Sequence, residues 1–306
     1  MNQILAWGGF TVFIIAMLAV DLFIFQRKPH EIRIRESLLL TAFWVFIALS
    51  FNAGIALLRG HQLALEFFTG YLIEKSLSVD NIFIFLLIFN YFRVPNSLQP
   101  QVLFWGVLGA IVLRAVFVVA GIALIHTFYW VIYVFGGILV VTGLKMMFEK
   151  EKEIHPEKNP VLRVFRKFVP VTENYEGARF FVKRGSKLFA TPLLIVLLVV
   201  ESTDVIFAVD SIPAIFAITL DPFIVYTSNI FAVLGLRALY FALAGIMCKV
   251  YYLSYGLAAI LIFVGIKMLI SEHYRIPIGF ALGFIALVLI GSVVISFLKP
   301  PKECNS

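Results

Sequence analysis

Charged residues and cysteines are scarce in this chain of 306 residues. Charged side chains make up 14% of the chain, against about 25% in an ordinary soluble domain, whereas 61% of the residues are hydrophobic. A water-soluble domain of this composition would have no polar surface, and a disordered chain could not leave so much apolar surface unburied. The two cysteines, Cys248 and Cys304, form no CxxC pair and so suggest neither a disulfide framework nor a thiol redox centre. The composition indicates a polytopic membrane protein.

Nine apolar stretches are long enough to be membrane-spanning helices, which predicts an all-α fold. They cover residues 4–25, 37–58, 63–91, 101–124, 128–148, 190–219, 222–247, 251–271 and 277–298. The third and sixth stretches are the longest and carry charges, which favours broken or strongly tilted helices. Basic residues follow the first stretch and none precedes it, so we interpret it as a membrane helix and not as a cleaved signal peptide.

Lysine and arginine are distributed unevenly between the two sides that nine spans define. The loops and tail on one side carry 18 of them, ten within residues 149–189, whereas the other side carries only Arg59 and Arg275. By the positive-inside rule, the N-terminus lies outside and the C-terminus lies in the cytoplasm. The net charge of +7 is then a signal of topology, and no nucleic-acid partner is expected. Residues 161–169 are predicted either as an amphipathic helix on the inner membrane face or as a solvated linker.

An internal repeat of about 123 residues relates two parts of the chain. Its clearest landmarks are SVDNIF at 78–83 with STDVIF at 202–207, LRA at 113–115 with LRA at 236–238, AGI at 120–122 with AGI at 244–246, and GLKM at 143–146 with GIKM at 265–268. Each copy contains three spans, an odd number, so the two copies run in opposite directions through the membrane. Such 3+3 inverted repeats are typical of secondary transporters, which bind their substrate near the midplane between the repeats.

The repeat divides the chain into five predicted parts. They are two N-terminal helices (1–62), the first repeat (63–148), a basic cytoplasmic linker (149–189), the second repeat (190–272), and a C-terminal helix with its tail (273–306).

Acidic side chains lie within the helix that leads each repeat. An ionised aspartate at the centre of a span costs roughly 2.5–3.5 kcal/mol on insertion scales, so these groups need partners or a function. Carboxylates, amides and hydroxyls are ligands for Mg²⁺, Ca²⁺ or Mn²⁺, and Asp80 and Asp204 are predicted to approach each other from crossing helices. The candidate metal ligands are Glu74, Asp80, Asn81, Glu201, Asp204 and Asp210, and the supporting polar or counter-charged residues are Ser78, Ser202, Thr203, Ser211, Arg114 and Arg237.

Internal ion pairing is the structural alternative to a metal site. Lys75, Arg114 and Arg237 could neutralise three of the five deepest carboxylates, which leaves a formal charge of −2 and favours a bound cation or retained protons. A backbone feature is also open to two interpretations. Pro213 removes a helical hydrogen bond from the Val209 carbonyl, which then serves as a cation ligand or simply marks a packing kink.

Three motifs of the chain resemble the TerC family of integral membrane proteins. They are EKSLSVDNIF at 74–83, ESTDVIFAVDSIPA at 201–214 and SNIFAVLGLR at 228–237. The resemblance covers roughly residues 63–272, and the length and flanking helices are similar to the Alx-type branch. It implies Mn²⁺ efflux, with acidic residues of the first two motifs as the metal path. The redox label attached to the family has no support in the residues, because they contain no paired thiol or cofactor motif. The tellurium label is hard to rationalise, because tellurite is an anion and the predicted site is negative.

The predicted function is therefore export of a divalent metal, with Mn²⁺ favoured, by a secondary transporter of the bacterial inner membrane. No enzymatic activity and no permanently bound cofactor are expected, and Mn²⁺ is the transported ion. The expected partners are the lipid bilayer and the metal ion, and the oligomeric state is left open. The alternatives are a membrane scaffold or assembly factor with structural ion pairs, and an exporter of a small organic solute.

Overall fold

A computed structural model shows an almost entirely helical protein. It describes residues 3–25, 34–148, 160–185, 187–244, 252–274 and 276–298. The helices of these residues are α1 (Gln3–Phe25), α2 (Ile34–Arg59), α3 (His61–Tyr91), α4 (Gln99–Thr127), α5 (Val131–Phe148), α6 (Pro160–Phe168), α7 (Pro192–Phe216), α8 (Pro222–Leu234), α9 (Leu236–Leu243), α10 (Leu253–Leu269) and α11 (Ile278–Leu298). The predicted linker residues 149–159 and both cysteines lie outside the described residues.

Six helical segments are long and apolar enough to cross a membrane. They are Arg35–Arg59, Gln99–Thr127, Val131–Phe148, Pro192–Phe216, Pro222–Leu243 and Ile278–Leu298, and two shorter apolar helices cover Leu5–Val20 and Leu253–Leu269. Helix α3 has 31 residues but carries Glu66, Glu74, Lys75 and Asp80 along its length, which lowers its hydropathy. A polytopic membrane protein is confirmed, and the nine spans stay a prediction.

The long helices α3 and α7 are uninterrupted, so of the two predicted alternatives the broken helix is wrong, and the strongly tilted helix stays a prediction. Helix α7 continues past Pro213, whose carbonyl accepts a hydrogen bond from the Ala217 amide at 3.1 Å. The interruption lies instead at Gly235, between α8 and α9. Near this break, the ammonium group of Lys75 donates a hydrogen bond to the Ala232 carbonyl at 3.2 Å, which satisfies an acceptor that the end of α8 leaves without a helical partner.

At the centre of the protein, α3 and α4 each pack against both α7 and α8. Helix α5 packs closely along α10, where a Cβ atom on Gly136 would lie 3.0 Å from the Gly265 carbonyl oxygen and one on Gly143 would lie 2.8 Å from that of Ala258. Helix α1 joins the core through aromatic rings that contact Phe223 and Phe231 of α8. Small residues at the α5–α10 contact let the two backbones approach, as in other membrane helix pairs.

A helix and a hairpin lie between α5 and α7. The predicted amphipathic helix is present as α6, whose Leu162 is buried while Arg163 is exposed, and its position on the inner membrane face stays a prediction. Strands β1 (Phe181–Arg184) and β2 (Lys187–Ala190) pair antiparallel, with Phe181 opposite Ala190. This hairpin corrects the all-α prediction locally. Before it, Tyr175 donates a hydrogen bond to the Phe92 carbonyl at 2.9 Å, and partial burial raises the pKa of Tyr175 to about 12.

Candidate functional site

Four buried polar side chains meet where α3, α4, α7 and α8 approach one another. Arg114 Nη1 donates to Glu74 Oε1 and to Asn229 Oδ1, and Arg114 Nη2 lies 3.7 Å from Asp204 Oδ1. None of the four residues is more than 3% exposed. We call Glu74, Arg114, Asp204 and Asn229 the Arg114 cluster.

Small residues on α4 make this meeting possible. A Cβ atom on Gly106 would lie 3.3 Å from Val200 Cγ1 of α7, and one on Gly109 would overlap the carboxylate of Glu201. The absence of side chains at these two positions lets α4 and α7 pack closely. Asp204 lies about one turn beyond Glu201, and at this close packing it comes within reach of Arg114.

Each carboxylate of the Arg114 cluster keeps one oxygen without a hydrogen-bond partner. These atoms are Glu74 Oε2 and Asp204 Oδ2, and both are buried. Ser211 lies beside Glu74, and its Oγ is also buried without a partner in hydrogen-bonding geometry. Buried polar atoms of this kind cost roughly 1–3 kcal/mol each when nothing satisfies them. The site therefore offers three oxygen atoms to a bound proton, water molecule or cation.

The donor set suits a hard divalent cation, because it consists of carboxylate and hydroxyl oxygens with an amide oxygen nearby. Across the described ranges, no group of three or more histidines, cysteines, aspartates or glutamates is arranged to hold a metal ion. Two carboxylates facing one guanidinium are fewer charged ligands than a tightly held resident metal requires.

The other predicted ligands lie around the Arg114 cluster on the same two helices. Glu201 is partly buried, with its carboxylate against Gly109. Asp210 accepts a hydrogen bond from Thr142 of α5 at 3.0 Å. Asn81 is buried two turns beyond Glu74, whereas Asp80 is partly buried. The predicted approach of Asp80 to Asp204 stays a prediction.

Of the predicted hydroxyl groups, those of Ser78, Ser202 and Thr203 bond to their own helices, whereas that of Ser211 does not. Ser78 donates to the Glu74 carbonyl at 2.8 Å, and Thr203 and Ser202 donate to the Val199 carbonyl at 2.7 and 2.8 Å. Because the hydroxyl proton is used within the helix, the oxygen lone pairs point away from that bond. Oxygen atoms in this state are acceptors or cation ligands.

Arg114 is a counter-ion of buried carboxylates, as charge counting suggests, whereas Lys75 has a different role. Arg114 pairs with two carboxylates from different helices, and Arg237 is buried at the start of α9. Lys75 was expected as a counter-ion for the adjacent Glu74, but it reaches the Ala232 carbonyl of α8. Neighbouring residues on a helix do not face each other, which explains the correction.

Two contributing residues were not among the predicted ligands. Asn229 holds Arg114 from α8, and Thr142 binds Asp210 from α5. A signal for Asn229 exists in the sequence, since a carboxamide in an otherwise apolar stretch inside a membrane needs a partner. Thr142 gives no such signal, because a threonine hydroxyl can bond to its own helix.

The class of protein follows from comparison with known families. The model of the integral membrane protein TerC family matches residues 59–303, and the chain belongs to that family. An uncharacterized membrane protein of Myxococcus xanthus is 50% identical over 293 residues, which are 96% of this chain and 92% of that protein. The "Putative membrane-bound redox modulator Alx" proteins of Salmonella typhi and Escherichia coli K12 are 49% and 48% identical, each over 95% of this chain and 94% of the relative. No solved structure matches the chain.

Proposed function

We propose that this protein is a secondary transporter of the bacterial inner membrane that exports a divalent metal ion, with Mn²⁺ favoured, through the Arg114 cluster. One observation carries the proposal. Glu74 and Asp204 are buried on different helices, each keeps an oxygen without a partner, and one guanidinium stands between them. The formal charge of Glu74, Asp204 and Arg114 together is −1, which favours an additional cation in surroundings of low dielectric constant. The choice of Mn²⁺ and the outward direction rest on the TerC resemblance, since the oxygen ligands suit Mg²⁺ and Ca²⁺ as well.

Arg114 acts in this proposal as a tethered counter-ion. A divalent ion that binds Glu74 and Asp204 displaces the guanidinium, which Asn229 Oδ1 also holds. This competition lowers the net affinity, as a transport site requires if the ion is to leave again. Asp80, Asn81, Glu201 and Asp210 line the route to and from the Arg114 cluster, and protons coupled to transport are carried by Glu74, Glu201 or Asp210.

The proposal includes the 3+3 inverted repeat, with α3–α5 as one copy and α7–α10 as the other. The contacts between α5 and α10 support it. At an offset of 122 residues, Gly136 corresponds to Ala258 and Gly143 corresponds to Gly265. The contact between Gly136 and Gly265 therefore has a symmetric counterpart, which is the contact between Ala258 and Gly143. A two-fold axis in the membrane plane has this effect. Rocking of one copy against the other would then alternate access to the Arg114 cluster.

Metal flux into sealed vesicles tests the proposal directly. We expect Glu74→Gln and Asp204→Asn each to reduce Mn²⁺ flux to the level of protein-free vesicles, because each removes a charged ligand while keeping the shape of the side chain. Asp80→Asn, measured alongside, tests whether Asp80 belongs to the same path. Competition by Mg²⁺ and Ca²⁺ in the wild type then ranks the ions.

Asp221→Asn is the matched control. Asp221 makes an N-cap for α8 by accepting hydrogen bonds from the Phe223 and Ile224 amides, and asparagine caps equally well. The control makes the same chemical change outside the Arg114 cluster and should leave flux unchanged. Normal Mn²⁺ flux in both Glu74→Gln and Asp204→Asn would rule out the Arg114 cluster as the metal site.

A membrane scaffold is the second candidate, and the ion pair itself favours it. Arg114 already pairs with Glu74, as a purely structural charge pair would. A scaffold that still folds should keep its partners and its cellular role in Glu74→Gln and Asp204→Asn. A transporter with the same variants should fold and lose metal-dependent flux.

A further inference from the structure

An open groove lies between α1 and α2, away from the Arg114 cluster. It encloses about 450 Å³, within the roughly 300–1,000 Å³ of small-molecule sites. Phe10, Phe13 and Phe51 line it, and Gly9 and Gly54 widen it, because a Cβ atom on either glycine would meet no other atom within 4 Å. The groove is therefore apolar and has room for a flexible hydrocarbon chain.

The groove has the depth of one membrane leaflet. Its lining on α2 runs from Ser50 to Arg59, which at 1.5 Å per residue is about 13 Å. Half of a hydrocarbon core about 30 Å thick is about 15 Å. An acyl chain that enters beside Arg59 would fill the groove without leaving its leaflet.

A single charged residue, Arg59, lies at one end of the groove. Its guanidinium carbon lies 4.5 Å from the centre of the Phe223 ring, so the ring holds one face of the guanidinium and leaves its edge available to donate. That edge matches the oxygens of a phosphate group. In the predicted orientation, Arg59 is one of only two basic residues on its side of the membrane, so the positive-inside rule does not account for it.

We propose that the groove between α1 and α2 binds one phospholipid, with an acyl chain along Phe10, Phe13 and Phe51 and the headgroup phosphate on Arg59. The apolar lining matches the acyl chain of a phospholipid, and the cationic end matches its headgroup phosphate. A leaflet places the headgroup at its surface and the acyl chain below it, which is the arrangement of the groove. A free phosphate ion would leave the apolar groove empty. The site is separate from the Arg114 cluster, so the proposal does not depend on metal transport.

Native mass spectrometry of the detergent-purified full chain tests the site. We expect wild-type protein to retain one phospholipid, and Gly9→Leu, which fills the groove, to lose it. Gly8→Leu is the matched control, because Gly8 is the neighbouring residue on α1, also has no atom within 4 Å of an added Cβ, and does not line the groove. Arg59→Gln should retain roughly tenfold less lipid, the effect of losing one charge-assisted hydrogen bond.

Each arm has an outcome that overturns part of the proposal. Wild-type protein without a bound phospholipid, or equal retention in Gly9→Leu and Gly8→Leu, would show that the groove is not the site. If Arg59→Gln retained as much phosphatidylglycerol as the wild type, Arg59 would not contact the headgroup phosphate. Gly54→Leu fills the same groove from α2 and replaces Gly9→Leu if that variant does not fold. Inorganic phosphate, added to the wild type, should not displace the lipid.

Discussion

The segments α3–α5 and α7–α10 match at several sequence landmarks, but they contribute different groups to the Arg114 cluster. The first supplies Glu74 and Arg114, and the second supplies Asp204 and Asn229. At offsets of 123 or 124 residues, Glu74 corresponds to Leu198 and Asn229 corresponds to Gly106. The landmarks are shared, whereas the charges around the cluster have diverged. Two segments that share sequence landmarks can therefore contribute different groups to one site.

The helices that carry the two matching arginines also differ. Helix α4 runs through Arg114 for 29 residues without a break, whereas Gly235 separates α8 from α9 two residues before Arg237. The residue that corresponds to Gly235 at an offset of 123 is Val112. The break thus lies where the second segment has a glycine in place of the β-branched residue of the first. The ammonium group of Lys75 lies beside this glycine.

The largest expected effect belongs to Arg114→Gln. It leaves Glu74 and Asp204 facing each other in the interior without their guanidinium, a change that typically costs roughly 3–5 kcal/mol. The measurement is thermal unfolding in detergent. Under the proposed function, Mn²⁺ should raise the unfolding temperature of Arg114→Gln more than that of the wild type, because the metal replaces the missing cation.

The double variant Glu74→Gln/Arg114→Gln is the control for this prediction. It removes one charge of each sign, so it should recover part of the stability that Arg114→Gln loses. If the double variant were as unstable as the sum of the two single variants, Glu74 and Arg114 would not be coupled. The asymmetric cluster would then not be a functional unit.

A smaller effect is expected for Gly109→Ala, which inserts a methyl group where the Glu201 carboxylate lies. Overpacking typically costs about 1–3 kcal/mol, and we expect the lower end here because the Glu201 carboxylate is the end of a flexible side chain and can shift. The residue at an offset of 123 is Ala232, which carries a methyl group already. Gly137→Ala on α5 is the control and should be neutral or slightly stabilising, because its Cβ would meet nothing within 4 Å and alanine favours the helix. Equal unfolding temperatures for the two variants would contradict the close α4–α7 contact.

The smallest effect concerns the break at Gly235. Lys75→Met removes the hydrogen bond to the Ala232 carbonyl and should cost about 0.5–1.5 kcal/mol. Gly235→Ala places a methyl group against Lys75 Nζ, so it should destabilise the wild type more than it destabilises Lys75→Met. A double-mutant cycle of unfolding temperatures measures this coupling. Independent effects of the two substitutions would show that Lys75 does not support the break.

Hydropathy along the sequence predicts most helices of the fold, because the cost of an exposed backbone in lipid makes each long apolar stretch helical by itself. It does not locate the interruption, because it offers a break in α3 and α7 only as an alternative to strong tilt. Length and charge direct attention to α3 and α7, but a continuous helix tolerates Pro213. The break at Gly235 depends in part on an ammonium group that arrives from α3, which no local pattern contains. The β1–β2 hairpin lies between the apolar stretches, where hydropathy gives no signal.

The sequence by itself determined that this is a polytopic membrane protein of the TerC family. It also determined that ionisable groups lie in the interior, since such residues are too costly in lipid to occur without a role. Tertiary structure alone decided which of these groups meet. Arg114 pairs with Glu74 and Asp204 and donates to Asn229. The distances between these side chains depend on the rotation of each helix about its axis and on the close packing that Gly106 and Gly109 permit. Those variables belong to pairs of helices, so no single stretch of sequence contains them.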